Sequence, residues 1–196
     1  MTRCRRSRRR SRSRRASPIG ARRGKAVGKP EQAQELVDKT EKLVADAAAE
    51  HPEFKGQKAA IVADYQGVFV YGPQDVRSRL LEELGFTYPD ELVDAFPKEY
   101  GGQLSDERID MLGVGVLVWF ADGERSKAEL KRNPLYSKLA VSKEDRDVFI
   151  RGEDRVYDST SFPSVLSMPT LLAELVPRLA AAADGDPATS TDQQPE

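Results

Sequence analysis

Aromatic and amide side chains follow two apolar segments of this chain. Tyr65 and Gln66 come directly after the apolar run 58–64, and Trp119 and Phe120 end the most apolar run of the sequence. Both runs have the length and composition of buried strands. In an open α/β sheet, ligands bind beyond the carboxyl ends of the strands. The positions therefore predict a ligand-binding edge, while core packing is an equally good explanation for the tryptophan.

Residue types that support catalysis or metal binding are scarce. The chain has one histidine, His51, and one cysteine, Cys4. Histidine dyads, zinc sites with several histidines and CxxC pairs are therefore excluded. The GxGxxG, GxxxxGK[ST] and GxSxG motifs are absent, and the acidic residues are scattered. The sequence predicts a protein that is not an enzyme, although a flavodoxin-like enzyme stays compatible with the fold class.

Charge is distributed unevenly along the 196 residues. Residues 1–29 hold 13 of the 31 Lys and Arg residues and none of the 32 acidic residues. We expect the Arg/Ser-rich arm, 1–27, to be disordered because it has little apolar surface to bury, and we expect the same of the tail, 185–196. The arm suits electrostatic binding to nucleic acid, but it lacks aromatic side chains for base stacking. The alternative is an unselected extension.

Membrane and export signals are not recognisable in the sequence. No segment reaches the roughly 18 consecutive apolar residues of a membrane span. No apolar stretch of about 7–15 residues follows the basic N-terminus, as a secretory signal requires. Cys4 also lacks the small apolar residues that precede a lipid-modified cysteine. The sequence as given thus predicts a cytoplasmic location.

Apolar periodicity predicts alternating helices and strands. The helices are expected at 31–50, 73–84, 123–132 and 164–183, with a short helix starting at Ser105 and a helical turn at 134–139. The strands are expected at 58–64, 67–71, 114–120 and 147–150, with loops at 86–104 and 151–163. Gly85 is expected to end the second helix in the left-handed conformation. This order predicts a three-layer, Rossmann-like α/β lobe with a mainly parallel sheet, preceded by a long helix.

Five segments in order resemble one family of transport proteins. They are GKPEQAQELVDKTEKLVADAAAEHPEFKGQKAAIV (28–62), VYGPQDVRSRLLEELGF (70–86), LSDERIDMLGVGVLVWF (104–120), NPLYSKLAVSKEDRDVFI (133–150) and SFPSVLSMPTLLAELVPRLAAA (161–182). Together they resemble the C-terminal lobe of the iron–siderophore and vitamin B12 binding proteins of ABC importers, in the actinobacterial version. Members of that family hold the ligand between two α/β lobes.

The resemblance implies a domain plan and a function. The plan is a disordered arm at 1–27, an interlobe linker helix at 28–52, a C-terminal lobe at 53–184 and a disordered tail at 185–196, with the N-terminal lobe missing. The implied function is capture of a ferric siderophore and its delivery to an ABC permease, outside the cytoplasm. The siderophore itself holds the iron, so no protein cofactor or metal site is implied. The alternative function is nucleic-acid association through the basic arm.

The resemblance also implies roles for particular residues. A siderophore pocket needs aromatic walls together with cationic and hydrogen-bonding groups. The candidates for the pocket are Tyr65, Gln66, Arg77, Trp119, Phe120, Arg125, Ser159, Thr160 and Ser161. Glu107, in a Ser-x-Glu helix start, resembles the glutamate that docks on the permease. The alternatives are a solvated helix face for Arg77, a cap of the last helix for the residues near 160, and a favourable helix-dipole carboxylate for Glu107.

Overall fold

The computed structural model describes residues 29–64, 67–96, 100–121, 127–186 and 188–189. The chain divides into two compact units, residues 1–39 and 40–196. The described part of the first unit is residues 29–39, which are almost entirely the first turns of helix α1 (Pro30–Glu50). The predicted arm 1–27 and most of the predicted tail 185–196 lie outside the described residues. No described helix is long and apolar enough to cross a membrane.

The second unit alternates strands with helices. After α1, the strands are β1 (Ala59–Asp64), β2 (Val68–Tyr71), β3 (Gly101–Leu104), β4 (Val116–Ala121) and β5 (Asp147–Arg151). The further helices are α2 (Val76–Leu84), α3 (Asp90–Ala95), α4 (Lys127–Arg132), α5 (Ala140–Lys143), α6 (Val156–Ser161) and α7 (Met168–Ala183). Short 3-10 segments lie at Pro52–Phe54, Asp106–Leu112 and Tyr136–Lys138.

The strands form one open sheet with the order β3-β2-β1-β4-β5. β4 pairs in parallel with both β1 and β5, whereas β2 is antiparallel to its neighbours β1 and β3. Four strands therefore run in one direction and only β2 runs in the other. The predicted α/β class with a mainly parallel sheet is confirmed.

Each central strand is buried on both faces. Along β4, Val116, Val118 and Phe120 belong to one apolar cluster, while Leu117 and Trp119 belong to a second. Successive side chains of a strand point to opposite faces, so the two clusters are the two sides of the sheet. Helices α2 and α7 contribute to the first cluster, and α3 and α4 contribute to the second. The predicted three layers are therefore two helical layers around one sheet.

Several predicted boundaries are wrong for local reasons. The predicted loop 86–104 contains α3 and β3, and the predicted loop 151–163 contains α6. Helix α2 begins after Asp75, whose carboxylate accepts a hydrogen bond from the Arg77 amide. The Ser105 hydroxyl makes no capping hydrogen bond, although a short 3-10 helix does begin there. The predicted left-handed cap at Gly85 is confirmed, with φ of 114°.

Candidate functional site

Four aromatic side chains form a continuous row on one face of the sheet, near the carboxyl ends of β1 and β4. The row consists of Phe69, Tyr71, Phe120 and Tyr157, and we call it the aromatic row. Successive ring centroids lie 5.3 Å, 6.0 Å and 5.8 Å apart, and each pair meets edge to face. Edge-to-face contacts place the positive ring edge on the negative ring face, which fixes ring orientation. The row is therefore rigid and largely apolar. Phe120 at its centre is only 2% exposed, whereas Phe69, Tyr71 and Tyr157 are partly exposed.

The register of the sheet explains why the row forms. Phe69 pairs with Ala63 on β1, and Ala63 pairs with Phe120 on β4. The small alanine between them leaves room above the sheet for the neighbouring rings. On the far side, a Cβ atom at Gly101 would lie 2.6 Å from the Phe69 ring. Glycine on β3 therefore allows the Phe69 ring to lie against the strand.

Arg77, in the first turn of α2, lies over this row. Its Cζ atom is 3.9 Å from the centroid of the Tyr71 ring and 5.9 Å from that of Phe120. Its Nε and Nη2 atoms donate to the Oδ1 and Oδ2 atoms of Asp75 at 2.8 Å and 3.0 Å. The Arg77 side chain is only 17% exposed. It is held by cation–π contact and a bidentate ion pair, so the solvated helix face offered as its alternative is not observed.

Helix α6 closes the other end of the row. Its Tyr157 ring meets Phe120, and Ser159 and Ser161 are partly exposed. Thr160 is 1% exposed, and its hydroxyl donates to the Val156 carbonyl at 2.7 Å. The Thr160 hydroxyl therefore donates its proton within α6 and not to a ligand. Of the three predicted rim residues, only the two serines are accessible to a ligand.

A buried ion pair fixes the loop that leads into α6. Arg178 on α7 donates from Nη1 to Asp154 Oδ2 at 2.8 Å, and both side chains are almost completely buried. Burial opposes ionisation of Asp154, but the hydrogen bonds from Arg178 and from the Arg151 amide outweigh it and lower the pKa of the carboxyl. Breaking such a pair leaves an uncompensated charge. The position of Tyr157, three residues after Asp154, therefore depends on α7.

Trp119 belongs to a different cluster on the opposite face of the sheet. Its Nε1 atom donates to the Tyr136 hydroxyl at 2.9 Å, and that hydroxyl donates to Asp147 Oδ2 at 2.8 Å. The Phe149 ring stacks on the indole. Trp119, Tyr136 and Asp147 are each 0% exposed, and we call these three with Phe149 the sealed cluster. The expectation that Trp119 and Phe120 line one wall is corrected, because adjacent strand residues point to opposite faces.

The environment of the sealed cluster raises the pKa values of Asp147 and Tyr136. Burial raises the pKa of Asp147, although the hydrogen bond from Tyr136 and the charges of Lys131 and Lys127 oppose the shift. Burial also raises the pKa of Tyr136 well above its usual range, and the Asp147 carboxylate adds to this effect. The hydroxyl is therefore a permanent donor to the aspartate.

The remaining predicted residues fall into two groups. Tyr65, Gln66 and Arg125 lie outside the described residues. Glu107 is exposed in the 3-10 segment Asp106–Leu112, where a partner can reach it, so its docking role stays a prediction. Across the described ranges, no group of His, Cys, Asp and Glu side chains is arranged to hold a metal ion.

Sequence reasoning missed four members of this site: Phe69, Tyr71, Asp75 and Tyr157. The alternation in GVFVY, 67–71, already put Phe69 and Tyr71 on one face. The Asp-x-Arg spacing at Asp75 was also a usable signal, because an N-cap aspartate lies beside a side chain two positions later. Tyr157 gave no comparable signal, because helix α6 is only 6 residues long.

Solved structures of binding proteins share this fold. PiaA of Streptococcus pneumoniae TIGR4 in complex with ferrichrome superposes with a TM-score of 0.70 at 22% identity, covering 83% of this chain and 56% of that protein. A periplasmic solute binding protein of Mycobacterium smegmatis gives 0.69 at 25% identity, with 83% and 55% covered. FhuD2 of Staphylococcus aureus with bound ferrioxamine B gives 0.67 at 15% identity, with 82% and 62% covered.

These likenesses establish the lobe fold of iron-uptake binding proteins for this chain. All three are binding proteins, which agrees with the prediction of a protein that is not an enzyme. The chain spans 55% to 62% of the length of these three neighbours. No family model matches the sequence, and no curated protein matches it.

Proposed function

We propose that this chain is the C-terminal lobe of a solute-binding protein that captures a ferric siderophore for an ABC importer. The fold likeness to PiaA with ferrichrome and to FhuD2 with ferrioxamine B supports the ligand class. The observation that carries the proposal is the aromatic row with Arg77 above it, at the carboxyl edge of the sheet. Open α/β sheets bind ligands at that edge.

The geometry suits the surface of an iron chelate. A ferric siderophore is bulky, and it presents apolar linkers together with metal-bound oxygen atoms. The rings of Tyr71 and Tyr157 offer partly exposed apolar contact, while Arg77 offers hydrogen-bond donors fixed in direction by Asp75. Ser159 and Ser161 add hydroxyl groups at the end of the row. A ligand held here contacts one wall of a cleft, and the second lobe supplies the other wall.

Titration of the full chain with ferric chelates tests this function. Trp119 is the only tryptophan of the chain, and it is adjacent to Phe120 in β4. An iron chelate bound at the aromatic row would therefore be near enough to quench the tryptophan emission without contacting the indole. We expect saturable quenching by ferrichrome, and a much weaker response to the iron-free siderophore. Because the described wall is only one side of a cleft, a dissociation constant in the micromolar range would already support the proposed function.

A matched pair of arginine variants locates the binding site. Arg77→Ala removes the guanidinium over the row, and we expect it to weaken chelate binding by about tenfold. Arg79→Ala removes an exposed arginine from the same helix, and we expect it to bind as the unmodified chain does. Equal affinities for the two variants would place the ligand elsewhere, and no saturable quenching by any ferric chelate would refute the function.

Delivery to a membrane permease is the second part of the proposal. Glu107 is exposed and lies at the start of a short 3-10 helix, and a carboxylate there can pair with a permease arginine. This role places the protein outside the cytoplasm. We expect Glu107→Gln to lower iron uptake by cells that carry the permease, without changing chelate binding. Asp110→Asn, an exposed carboxylate of the same segment, is the matched control.

A further inference from the structure

Asp75, which is paired with Arg77, influences the electrostatic potential at the aromatic row. We propose that Asp75 makes the site selective for ferric chelates without net negative charge, against polyanionic chelates. This inference rests on the proposed function, because it names which chelates the site takes. Asp75 is the N-cap of α2, and the inference gives it a second role, in ligand specificity.

The contacts of Asp75 neutralise the positive groups at this end of α2. Its two carboxylate oxygens accept from Nε and Nη2 of Arg77, and Oδ1 also accepts from the Arg77 backbone amide at 2.9 Å. The side chain of Asp75 is 9% exposed, so solvent screens this pair little. One negative charge therefore meets both the guanidinium and the positive end of the helix. The pair uses two of the five N–H groups of the guanidinium, which leaves donors for a neutral acceptor.

Other arginines near the row are also balanced. Arg151, at the end of β5, lies 3.5 Å from Glu153 and 3.5 Å from Asp154. Arg155, just before α6, lies 3.9 Å from Glu174. Among the described residues that follow β5 up to α6, neither arginine lacks a carboxylate. Helix α6 carries a further acid, Asp158, which is exposed.

This balance of charge distinguishes between classes of iron chelate. A ferric tris-hydroxamate is neutral, because three monoanionic groups cancel the charge of the metal. A ferric tris-catecholate is a trianion, because each catecholate carries two negative charges. At the row, a trianion meets a neutralised arginine and several carboxylates, and like charges placed together discriminate against the wrong partner. A neutral chelate keeps the aromatic contacts and the hydrogen bonds.

The charge-removing variant Asp75→Asn tests the role of the aspartate. Asparagine is as good a helix cap as aspartate, so α2 keeps its start while the carboxylate charge disappears. The probes are ferrichrome, a neutral tris-hydroxamate, and ferric enterobactin, a trianionic tris-catecholate. We expect the unmodified chain to bind ferrichrome at least about tenfold more tightly, and Asp75→Asn to reduce this ratio by about tenfold, as one unbalanced charge at short range implies.

The ratio of the two affinities separates specificity from a structural role. A loosened Arg77 would weaken both chelates alike and leave the ratio unchanged. Gained affinity for ferric enterobactin should also weaken as salt is added, because it is electrostatic. Asp90→Asn, at the start of α3 on the other face of the sheet, makes the same charge change, and we expect it to keep the original ratio.

The outcomes distinguish this inference from the function beneath it. A preference of the unmodified chain for ferric enterobactin, or an unchanged ratio in Asp75→Asn, would overturn the selectivity while leaving siderophore binding intact. Failure of the unmodified chain to bind either chelate would overturn the proposed function, and the selectivity with it. A reduced ratio in Asp75→Asn with an unchanged ratio in Asp90→Asn supports the role of Asp75.

Discussion

Two neighbouring residues of β4 lead into two different aromatic assemblies. Phe120 joins the aromatic row, where Tyr71 and Tyr157 stay partly exposed and Arg77 lies above the rings. Trp119 joins the sealed cluster, whose hydroxyl and indole N–H groups bond within the cluster. Both assemblies contain aromatic and charged side chains. The two assemblies differ in accessibility and in the location of their polar partners rather than in residue type, and this difference is what makes the row the proposed recognition surface.

Replacing the buried indole should produce the largest effect on stability. We expect Trp119→Ala to lower the free energy of unfolding by about 3–5 kcal/mol, because it empties a large buried site. Urea denaturation followed by circular dichroism measures this change. Chelate affinity of the folded fraction, measured by equilibrium dialysis, should not change.

Phe120→Ala is the matched variant on the other face of the sheet, and it should lose both stability and chelate affinity. If Trp119→Ala weakens chelate binding as much as Phe120→Ala does, the two faces are not independent. Should the alanine variant not fold, Trp119→Phe allows the same comparison with a smaller loss.

Removing one hydroxyl from the sealed cluster should have the next largest effect. Tyr136→Phe leaves the Trp119 Nε1 atom and the Asp147 Oδ2 atom without their shared partner. A buried polar group left unpaired costs about 1–3 kcal/mol, and we expect a loss of that size in urea unfolding. Tyr100→Phe, at a tyrosine that is 73% exposed, should change nothing. A loss below the error of the measurement would mean that water reaches the cluster.

Shortening the end of the aromatic row should affect binding more than folding. Tyr157→Leu keeps apolar volume but removes one edge-to-face contact, which is worth about 0.5–1.5 kcal/mol. We expect a stability loss of that order and a several-fold weaker response to ferrichrome. Tyr100→Leu serves as the control. Unchanged chelate affinity in Tyr157→Leu would remove α6 from the proposed site.

The smallest effect concerns the pH dependence of stability. The pKa of Asp147 is raised from 3.8 by burial, so its favourable contribution is complete below that value and is lost as pH rises through the folded pKa. Burial would raise the pKa of Asp154, but the hydrogen bond from Arg178 outweighs it and lowers the pKa. The contribution of Asp154 to stability is therefore present above 3.8 and is lost as pH falls through its folded pKa. The groups facing Asp147 are Tyr136, Lys127, Lys131 and Asp145.

Asp147→Asn should therefore remove only the component that falls with pH. Urea unfolding at several pH values between about 4 and 7 should show a more positive slope of stability against pH than in the unmodified chain. Asp90→Asn, an exposed carboxylate on the same face of the sheet, should keep the original slope. A less positive slope in Asp147→Asn would contradict the assigned direction.

Apolar patterns predicted the centre of the fold but not its edge. The run 114–120 is apolar and rich in valine, and it indicated the interior strand β4 directly. The edge strand β3 was missed because Gly101 and Gly102 disfavour strands by themselves. Those glycines are used because Cβ atoms there would meet the rings of Phe69 and Phe96 at 2.6 Å and 2.4 Å. Such a requirement belongs to tertiary contacts and leaves no local pattern.

The site was predictable where position along a strand or helix decides it. Phe120 lies near the carboxyl end of the parallel strand β4 and Arg77 lies in the first turn of α2, so sequence reasoning selected both. Their roles as ligand contacts stay predictions. Strand alternation places Trp119 and Phe120 on opposite faces of the sheet, and both are buried, but choosing between them required knowing which face carries partly exposed aromatic neighbours. That choice depends on where α6 and α2 pack.

The parallel pairing of β4 with β1 and β5 also sets an order in time. Phe69 and Tyr71 leave the ribosome before β4 and can pair with β1 as a local hairpin. Phe120 reaches them only through a long-range crossover, and Tyr157 arrives after β5 has been made. Non-local pairings of this kind form late in folding. Under the proposed function, the wall for the chelate is therefore complete only after β4, β5 and α6 have been synthesised and have folded onto β1 and β2.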